Sequence, residues 1–241
     1  MALLEIAGVG KRYGRGQLER VALRDVSFEL SAGELLAIWG RRNSGRSTLL
    51  RIAAGLEPPD QGSVRLDGGD LNARGGEGLR GQIRFCRKTY RPTEGQLVID
   101  RLITAQLTRG IPSRPARARA HDALARAKAS HCATLKPSDL DITETVLVGI
   151  ARSLVHQPKL LVIDEPTLGV DLFERDRILS LLRGLADDGI SVLMSVGETT
   201  CLAGADRALS LAGGELHGER QPAELAPVVR LHDVASRTVS A

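Results

Sequence analysis

Residues 35–52 constrain the fold of this chain more than any other stretch. The apolar run 35–39 has the length of a strand buried on both faces, and a glycine-bounded loop follows it at once. Apolar residues at helical spacing come next. This order of strand, loop and helix is the context of a phosphate-binding P-loop, whose pattern is G-x-x-x-x-G-K-S/T. Gly40, Gly45 and Ser47 match that pattern at the required offsets.

One position departs from the pattern, because Arg46 stands where a lysine is required. In such a loop, backbone N–H groups and the positive end of the helix dipole converge on an anion, and Asn43 is the side chain that best tolerates a left-handed backbone. Arginine keeps the charge of lysine, but its wide planar fork does not follow the same path. An ordinary strand-to-helix turn rich in glycine and arginine is the alternative. The candidate phosphate-binding residues are Gly40, Asn43, Ser44, Gly45, Arg46, Ser47 and Thr48.

Composition excludes several classes of protein. The chain has 241 residues, of which 42% are hydrophobic, so it can bury one good core with a small subdomain. Its net charge of +4 is too small to indicate a nucleic-acid partner, and none is expected. Neither a signal peptide nor an apolar run long enough to cross a bilayer is present. We therefore expect a soluble chain that reaches a membrane only through a partner.

The cysteines and histidines show no metal-binding pattern. The cysteines are odd in number and lack C-x-x-C spacing, which indicates free thiols in a reducing compartment rather than disulfides or zinc ligands. His121, His131 and His156 have no metal-ligand spacing either, and we predict surface or structural positions for them. The cysteines are Cys86, Cys132 and Cys201.

Two adjacent carboxylates follow the most strand-like stretch of the chain, residues 160–163. Open α/β sheets place their chemistry at the carboxyl ends of strands, which is where Asp164 and Glu165 fall. Asp164 would hold Mg²⁺, directly or through water, and Glu165 would orient or deprotonate an attacking water. A strand that ends in a solvated acidic turn is the alternative. The P-loop upstream favours the functional interpretation.

Hydrophobic patterns predict the remaining elements. Apolar and polar residues alternate over 26–30, as in a half-buried antiparallel strand. Residues 89–157 are helical in character, with a second helical run at 145–155, and a glycine-rich loop is expected at 68–79. Further strands are predicted at 3–9, 63–67, 83–88 and 190–196, with a closing hairpin near 208–214 and a loosely structured tail after 218.

Taken together, these motifs resemble the nucleotide-binding subunit of an ABC transporter over most of residues 3–217. Residues 160–167 match the Walker B motif of that family, and residues 169–171 resemble its D-loop. Residues 150–154 resemble the end of the helix that follows the family's signature sequence. The region 97–127 is most similar to the ATPases of lipoprotein-release and macrolide-efflux systems.

The resemblance implies an α/β fold of the ABC-type P-loop NTPase, in which a mixed-sheet core carries an antiparallel β subdomain and an inserted α-helical subdomain. It implies ATP and Mg²⁺ as cofactors, with Ser47 and Asp164 as metal ligands and Glu165 as the catalytic residue. Tyr13 falls where these proteins often stack an aromatic ring on adenine, and a tyrosine in a turn is the alternative. The implied domains are a core of 1–88 and 158–217, a helical subdomain of 89–157 and a C-terminal tail of 218–241.

Four positions that normally touch the γ-phosphate or its water differ from the family pattern. Arg46 replaces the P-loop lysine, and Lys88 replaces a glutamine that contacts metal and water. Residues 140–144, Leu-Asp-Ile-Thr-Glu, align with the L-S-G-G-Q signature, and Gly197 aligns with the switch histidine. In the family, two subunits sandwich ATP, so Asp141 would bring a carboxylate near the partner's phosphate. Like charges at about 4 Å repel by roughly 4 kcal/mol at an effective dielectric constant of about 20.

These departures predict a degenerate subunit that hydrolyses ATP slowly or not at all and still binds Mg-nucleotide through its P-loop. The resemblance implies pairing with a second, active ATPase subunit and docking on transmembrane permease subunits. It places the chain in the cytoplasm, peripheral on the inner face of the cell membrane. Lys88 is expected to supply the charge that Arg46 does not place. Two alternatives stay open: a fully active ATPase with compensating geometry, and a nucleotide-independent docking subunit.

Overall fold

Two β-sheets and six α-helices make up residues 2–14, 16–86 and 95–220, the part of the chain that the computed structural model describes. The strands are β1 Ala2–Tyr13, β2 Arg20–Ser31, β3 Leu35–Trp39, β4 Gln61–Leu66, β5 Gly69–Asp70, β6 Ile83–Cys86, β7 Leu160–Asp164, β8 Ser191–Val196, β9 Arg207–Ala212 and β10 Glu215–Arg220. The helices are α1 Arg46–Ala53, α2 Glu77–Arg80, α3 Val98–Leu107, α4 Ser113–Arg126, α5 Ile142–Leu154 and α6 Leu172–Asp187. Short 3-10 turns lie at Gly16–Leu18, Ser130–Thr134, Pro137–Asp139 and Thr199–Cys201.

The larger sheet has the strand order β10-β9-β3-β8-β7-β6. β3 pairs in parallel with β8 and β9, and β7 pairs in parallel with β8 and β6. All residues of β7 and β8 are buried, because hydrophobic cores cover both faces of the sheet. The register sets Ile38 of β3 and Asp164 of β7 on either side of Ser195 of β8. The P-loop and the acidic pair therefore emerge at the same edge of the sheet.

The smaller sheet is antiparallel, with the strand order β2-β1-β4-β5. Val26, Phe28 and Leu30 of β2 are buried, and Ser27 and Glu29, which alternate with them, are exposed. This confirms the predicted half-buried strand. The buried face shares one core with α1 and with the inner residues of the larger sheet. The helix that follows the P-loop is therefore held between the two sheets.

The helical region over the described residues 95–157 confirms the prediction from sequence and corrects one helix start. α3, α4 and α5 pack against the larger sheet through a second core. α5 begins at Ile142 rather than at 145, because Asp141 and Glu144 form a capping box in which each side chain accepts a hydrogen bond from the other's backbone N–H. No helix in the described part of the chain is both long and apolar enough to cross a bilayer.

Two segments that were predicted to be irregular contain regular structure. The stretch 68–79, predicted as a loop, holds β5, which pairs with β4, and the start of α2. Residues 218–220, which were predicted to belong to the tail, instead continue β10 and satisfy the backbone groups of β9 in the confirmed closing hairpin. The rest of the tail, 221–241, and Lys88 lie outside the described residues. The proposed domain boundaries stay a prediction.

Candidate functional site

Two positions of the P-loop require glycine, because the loop passes close to other backbone. A Cβ atom at Gly40 would lie 2.2 Å from the carbonyl oxygen of Leu211, and one at Gly45 would lie 2.4 Å from that of Ala22. Gly45 has a φ of 107°, and Asn43 has a φ of 65°, which confirms the left-handed conformation predicted for it. The loop is thus fixed between β2 and β9.

Arg46, in the first turn of α1, is buried and pairs with Glu165. Its Nη2 atom donates a hydrogen bond to Glu165 Oε1 over 2.6 Å, and the two side chains are only 7% and 13% exposed. The other terminal nitrogen, Nη1, is buried and has no hydrogen-bond partner among the described residues, and the same is true of the Ser44 hydroxyl. Two buried donors without protein partners indicate a place that receives an anion or a water molecule.

The acidic pair is held by a serine that the sequence analysis did not identify. The Ser195 hydroxyl donates a hydrogen bond to Asp164 Oδ1 over 2.5 Å and accepts one from the Glu165 backbone N–H over 3.0 Å. Glu165 has a φ of 46°, a strained conformation for a non-glycine residue. The serine therefore fixes the carboxylate of Asp164 and the backbone of Glu165 at the end of β7. Its only sequence signal was a polar residue in the apolar run 190–196.

The position that aligns with the switch histidine lies beside this ion pair. A Cβ atom at Gly197 would lie 3.7 Å from Arg46 Nη1 and 4.0 Å from Glu165 Oε1. Because glycine carries no side chain, Gly197 places no polar side-chain group against Arg46 and Glu165. The guanidinium of Arg46 donates a hydrogen bond to Glu165 at this place.

Tyr13 is the last residue of β1, paired with Arg20 of β2, so it lies at a strand end rather than in a turn. Its hydroxyl donates to Glu57 Oε1 over 2.7 Å and accepts from Arg51 Nη2 over 3.0 Å. Burial alone would raise the pKa of Glu57, but hydrogen bonds from Tyr13 and Arg51 and the charges of Arg51 and Lys11 lower that pKa below its usual value. The residue is 36% exposed, so it offers surface to a ligand.

These groups line a cleft of about 530 Å³, which we call the P-loop cleft. It brings together most of the residues that the sequence predicted, namely Tyr13, Asn43, Ser44, Gly45, Arg46, Ser47, Thr48 and Glu165. Gly40 and Asp164 do not line it: the first packs against Leu211, and the second is 8% exposed at the end of β7. Lys88 lies outside the described residues. The sequence analysis missed Arg20, Arg42 and Arg51. Arg20 and Arg51 reach the lining through the packing of β2 and α1, whereas Arg42 belongs to the P-loop itself.

The residues that align with the signature form the start of α5. Asp141 Oδ1 accepts a hydrogen bond from the Glu144 backbone N–H over 2.7 Å, and Glu144 Oε2 accepts one from the Asp141 N–H over 2.9 Å. The Ile142 side chain between them is 59% exposed. Two backbone donors of this helix end are therefore already used by its own side chains.

A family model described as ABC transporter matches residues 23–168, which include the P-loop, α5 and β7. The chain belongs to the ABC transporter family. An ABC relative of nearly the same length is the lipoprotein-releasing system ATP-binding protein LolD of Pseudomonas syringae pv. tomato, 35% identical over 89% of this chain and 97% of LolD. The resemblance inferred from the motifs is confirmed, and the chain is an ABC transporter ATP-binding subunit.

Other ABC relatives are longer than this chain. It is 30% identical to the macrolide export ATP-binding/permease protein MacB 1/2 of Paracoccus denitrificans over 91% of its own length. It is 34% identical to the methionine import ATP-binding protein MetN 1 of Rhodococcus jostii over 81% of its length. The chain spans 33% of the first relative and 59% of the second. The family membership thus extends to export and import proteins alike.

Solved ABC structures confirm the fold. A dimeric ATP-binding cassette in a post-hydrolysis state, bound to ADP and Pi, superposes with a TM-score of 0.82 at 25% identity and covers 91% of this chain and 98% of its own. The CbiO1 protein of Clostridium perfringens superposes equally well, with a TM-score of 0.82 over 99% of this chain and 95% of its own, at 22% identity. The α/β fold of the ABC-type P-loop NTPase is as the sequence predicted.

Proposed function

We propose that this chain is a degenerate ATP-binding subunit, which pairs with a second, active ATPase subunit and docks on transmembrane permease subunits. It works in the cytoplasm, peripheral on the inner face of the cell membrane, and couples ATP binding to transport. LolD is named as part of a lipoprotein-releasing system, and MacB 1/2 as an ATP-binding/permease protein. Those names support a role beside a permease.

The residues present fit ATP and Mg²⁺. Arg46 Nη1 and the Ser44 hydroxyl are buried donors without partners among the described residues, and they suit phosphate oxygens. The P-loop backbone would hold the phosphates, and Tyr13 would hold the adenine. Ser47, which is exposed, and Asp164 are the oxygen ligands that Mg²⁺ prefers. When bound, the nucleotide supplies a transferable phosphoryl group, and the metal offsets its charge.

The ion pair between Arg46 and Glu165 is the observation that carries the proposed degeneracy. A glutamate at this position would orient or deprotonate an attacking water, but here Oε1 is engaged by a guanidinium at 2.6 Å. Gly197 adds no polar side chain that would take over this work. Loss of one preorganised group commonly costs roughly 10²–10³ in rate, and losses within one site do not simply multiply.

Calorimetry with Mg-ATP and a turnover assay, both on the purified chain, test this proposal. We expect nucleotide binding with turnover near the background rate, and Glu165→Gln leaves that rate unchanged. Turnover at ordinary transporter rates that Glu165→Gln abolishes would show a fully active ATPase and contradict the proposal. Absence of binding, with assembly of the membrane complex preserved, would show a nucleotide-independent docking subunit and also contradict it.

Co-purification from the native host tests the proposed partners. We expect a second ABC ATPase with a complete set of phosphate-contacting motifs, together with at least one permease. Recovery of this chain only as a pair of identical subunits on the permease would overturn the heterodimer. The same preparation identifies the transported substrate class through the permease.

The proposed role of Lys88 is tested separately, because this residue lies outside the described part of the chain. We propose that its ammonium supplies the charge that Arg46, whose Nη2 atom is engaged with Glu165, does not place at the phosphates. Calorimetry on Lys88→Ala is expected to show weaker Mg-ATP binding. Unchanged nucleotide affinity would show that Lys88 makes no such contact.

A further inference from the structure

Three potential metal ligands meet between the Ser130–Thr134 turn and the first turn of α5. They are the imidazole of His131, the thiol of Cys132 and the carboxylate of Glu144, whose ligand atoms all lie within 4.8 Å of one another. We call these residues the thiol cluster. His131 Nε2 lies 3.2 Å from Glu144 Oε1. The residues of the cluster do not line the P-loop cleft of their own chain.

The fold holds the members of the thiol cluster in fixed positions. Cys132 is fully buried, and the turn that carries it hydrogen-bonds to the start of α3 through the Leu135 carbonyl and the Val98 N–H. The capping box engages Glu144 Oε2 with the Asp141 N–H, which directs Oε1 to His131. A ligand oriented by a second hydrogen bond is typical of protein metal sites. The His131 side chain is 56% exposed, which leaves one side of the cluster open to solvent.

The donor atoms of the cluster are of three kinds. Within the described residues, His131 is the basic side chain that pairs with Glu144. One sulfur, one imidazole nitrogen and one carboxylate oxygen suit zinc and related divalent ions, whereas Mg²⁺ prefers oxygen ligands alone.

We propose that His131, Cys132 and Glu144 bind one divalent transition-metal ion of the zinc class, with a fourth position open to solvent. Tetrahedral zinc with bonds of about 2.0–2.3 Å requires ligand atoms about 3.3–3.8 Å apart. His131 Nε2 and Glu144 Oε1 already lie 3.2 Å apart. Because no separation in the cluster exceeds 4.8 Å, rotation of the side chains by about 1 Å at the ligand atoms brings the remaining pairs into range. On binding, the metal–sulfur bond replaces the S–H bond, and the proton passes to solvent. The ion would link the Ser130–Thr134 turn to the start of α5.

Titration of the full chain with Co²⁺, followed by optical absorption, tests the site. Cobalt bound to a thiolate gives a ligand-to-metal charge-transfer band, and tetrahedral cobalt gives visible bands. We expect one equivalent of Co²⁺ to produce both, and Zn²⁺ but not Mg²⁺ to remove them. Cys132→Ser abolishes the charge-transfer band. His131→Ala and Glu144→Gln each weaken cobalt affinity at least about tenfold.

The variants include controls for folding and for adventitious binding. Glu144→Gln keeps the capping box, because glutamine serves in it as well as glutamate, so loss of affinity reports the missing carboxylate. His121→Ala removes an exposed histidine of α4 and leaves the titration unchanged. Absence of a charge-transfer band, its persistence in Cys132→Ser, or equal losses in His121→Ala and His131→Ala would each overturn the proposal. At the same zinc concentration, the melting temperature of the wild-type chain rises more than that of Glu144→Gln.

Discussion

Arg46 Nη2 lies 2.6 Å from Glu165 Oε1, and this contact ties the first turn of α1 to the end of β7. The two side chains come from the P-loop and from the acidic pair, the two motifs that identified the site. Because both side chains are largely shielded from solvent, water cannot fully compensate either charge if its partner is removed. The pair is therefore both a structural link and an obstacle to water activation at Glu165.

The first prediction concerns the stability of this link. Arg46→Met leaves the Glu165 carboxylate without its guanidinium in a largely buried place, and we expect a loss of about 3 kcal/mol in the free energy of unfolding. Glu165→Leu removes the carboxylate partner of the buried Arg46 guanidinium, and we expect a similar loss of stability. The double variant is expected to be more stable than the sum of the two single losses predicts. Urea unfolding of all four proteins gives the coupling energy, expected to be about 1–3 kcal/mol. Additivity of the two single losses within about 0.5 kcal/mol would show that the pair is not coupled.

The second prediction concerns the backbone of the P-loop. Gly45→Ala places a Cβ atom 2.4 Å from the Ala22 carbonyl oxygen at a φ of 107°, so it must distort the loop. We expect it to lower the free energy of unfolding by at least about 2 kcal/mol. Gly184→Ala in α6 is the matched control, because its Cβ meets nothing within 4 Å. In the control, the higher helix propensity of alanine is expected to raise the free energy of unfolding by about 0.5–1 kcal/mol. Equal effects of the two substitutions in chemical unfolding would contradict this account.

The third prediction concerns the capping box of α5. Asp141→Ala removes the acceptor for the Glu144 N–H, and we expect a loss of about 1 kcal/mol in stability. Asp141→Ser keeps an acceptor at the same place and stays within a few tenths of a kcal/mol of the wild type. Thermal and urea unfolding measure both. If serine and alanine are equally destabilising, the side-chain hydrogen bond is not what begins this helix.

The fourth prediction concerns acid stability. Burial, and then the charges of Arg84, Arg109 and Arg152, lower the pKa of His156 to about 4, against an ordinary value of 6.5. The unfolded chain therefore binds a proton at a higher pH than the folded chain does. The folded protein keeps the full contribution of the neutral imidazole above pH 6.5, and it loses that contribution as the pH falls from 6.5 to about 4.

His156→Gln tests this difference, because glutamine keeps a polar group near Gln106, which lies 3.1 Å from His156 Nδ1. We expect the wild type to lose more stability than the variant between pH 6.5 and pH 4. Urea unfolding at several pH values in this range measures the free energy of unfolding of both proteins. Because the two proteins have the same carboxylates, the difference between their stabilities reports His156. Parallel stability curves would show that His156 titrates normally in the folded chain.

The sequence was sufficient for the features that local patterns encode. The P-loop depends on strand, loop and helix in direct succession, and the left-handed conformation of Asn43 followed from its side chain alone. The carboxyl end of β7 was readable because a strand buried on both faces is continuously apolar. The ABC fold followed from the same motifs.

Features that depend on the packing of distant segments were not readable. The sequence around Arg46 does not predict that its partner is Glu165. Ser195 has no signal beyond being a polar residue in a buried strand. The thiol cluster shows no metal-ligand spacing in the sequence, because its members come from a turn and from a separate helix. The capping box has a sequence signal, an aspartate three residues before a glutamate, at the same positions that align with the signature.

The sheet order has a consequence for the way this chain must be made. β3 lies between β8 and β9, which come from the far end of the described sequence. On the ribosome, the strand that leads into the P-loop emerges early and has neither lateral neighbour until most of the polypeptide has been synthesised. Closing so long a loop is slow, and during that time an apolar strand stays unpaired. Nascent chains that stop before β8 are therefore expected to require a chaperone.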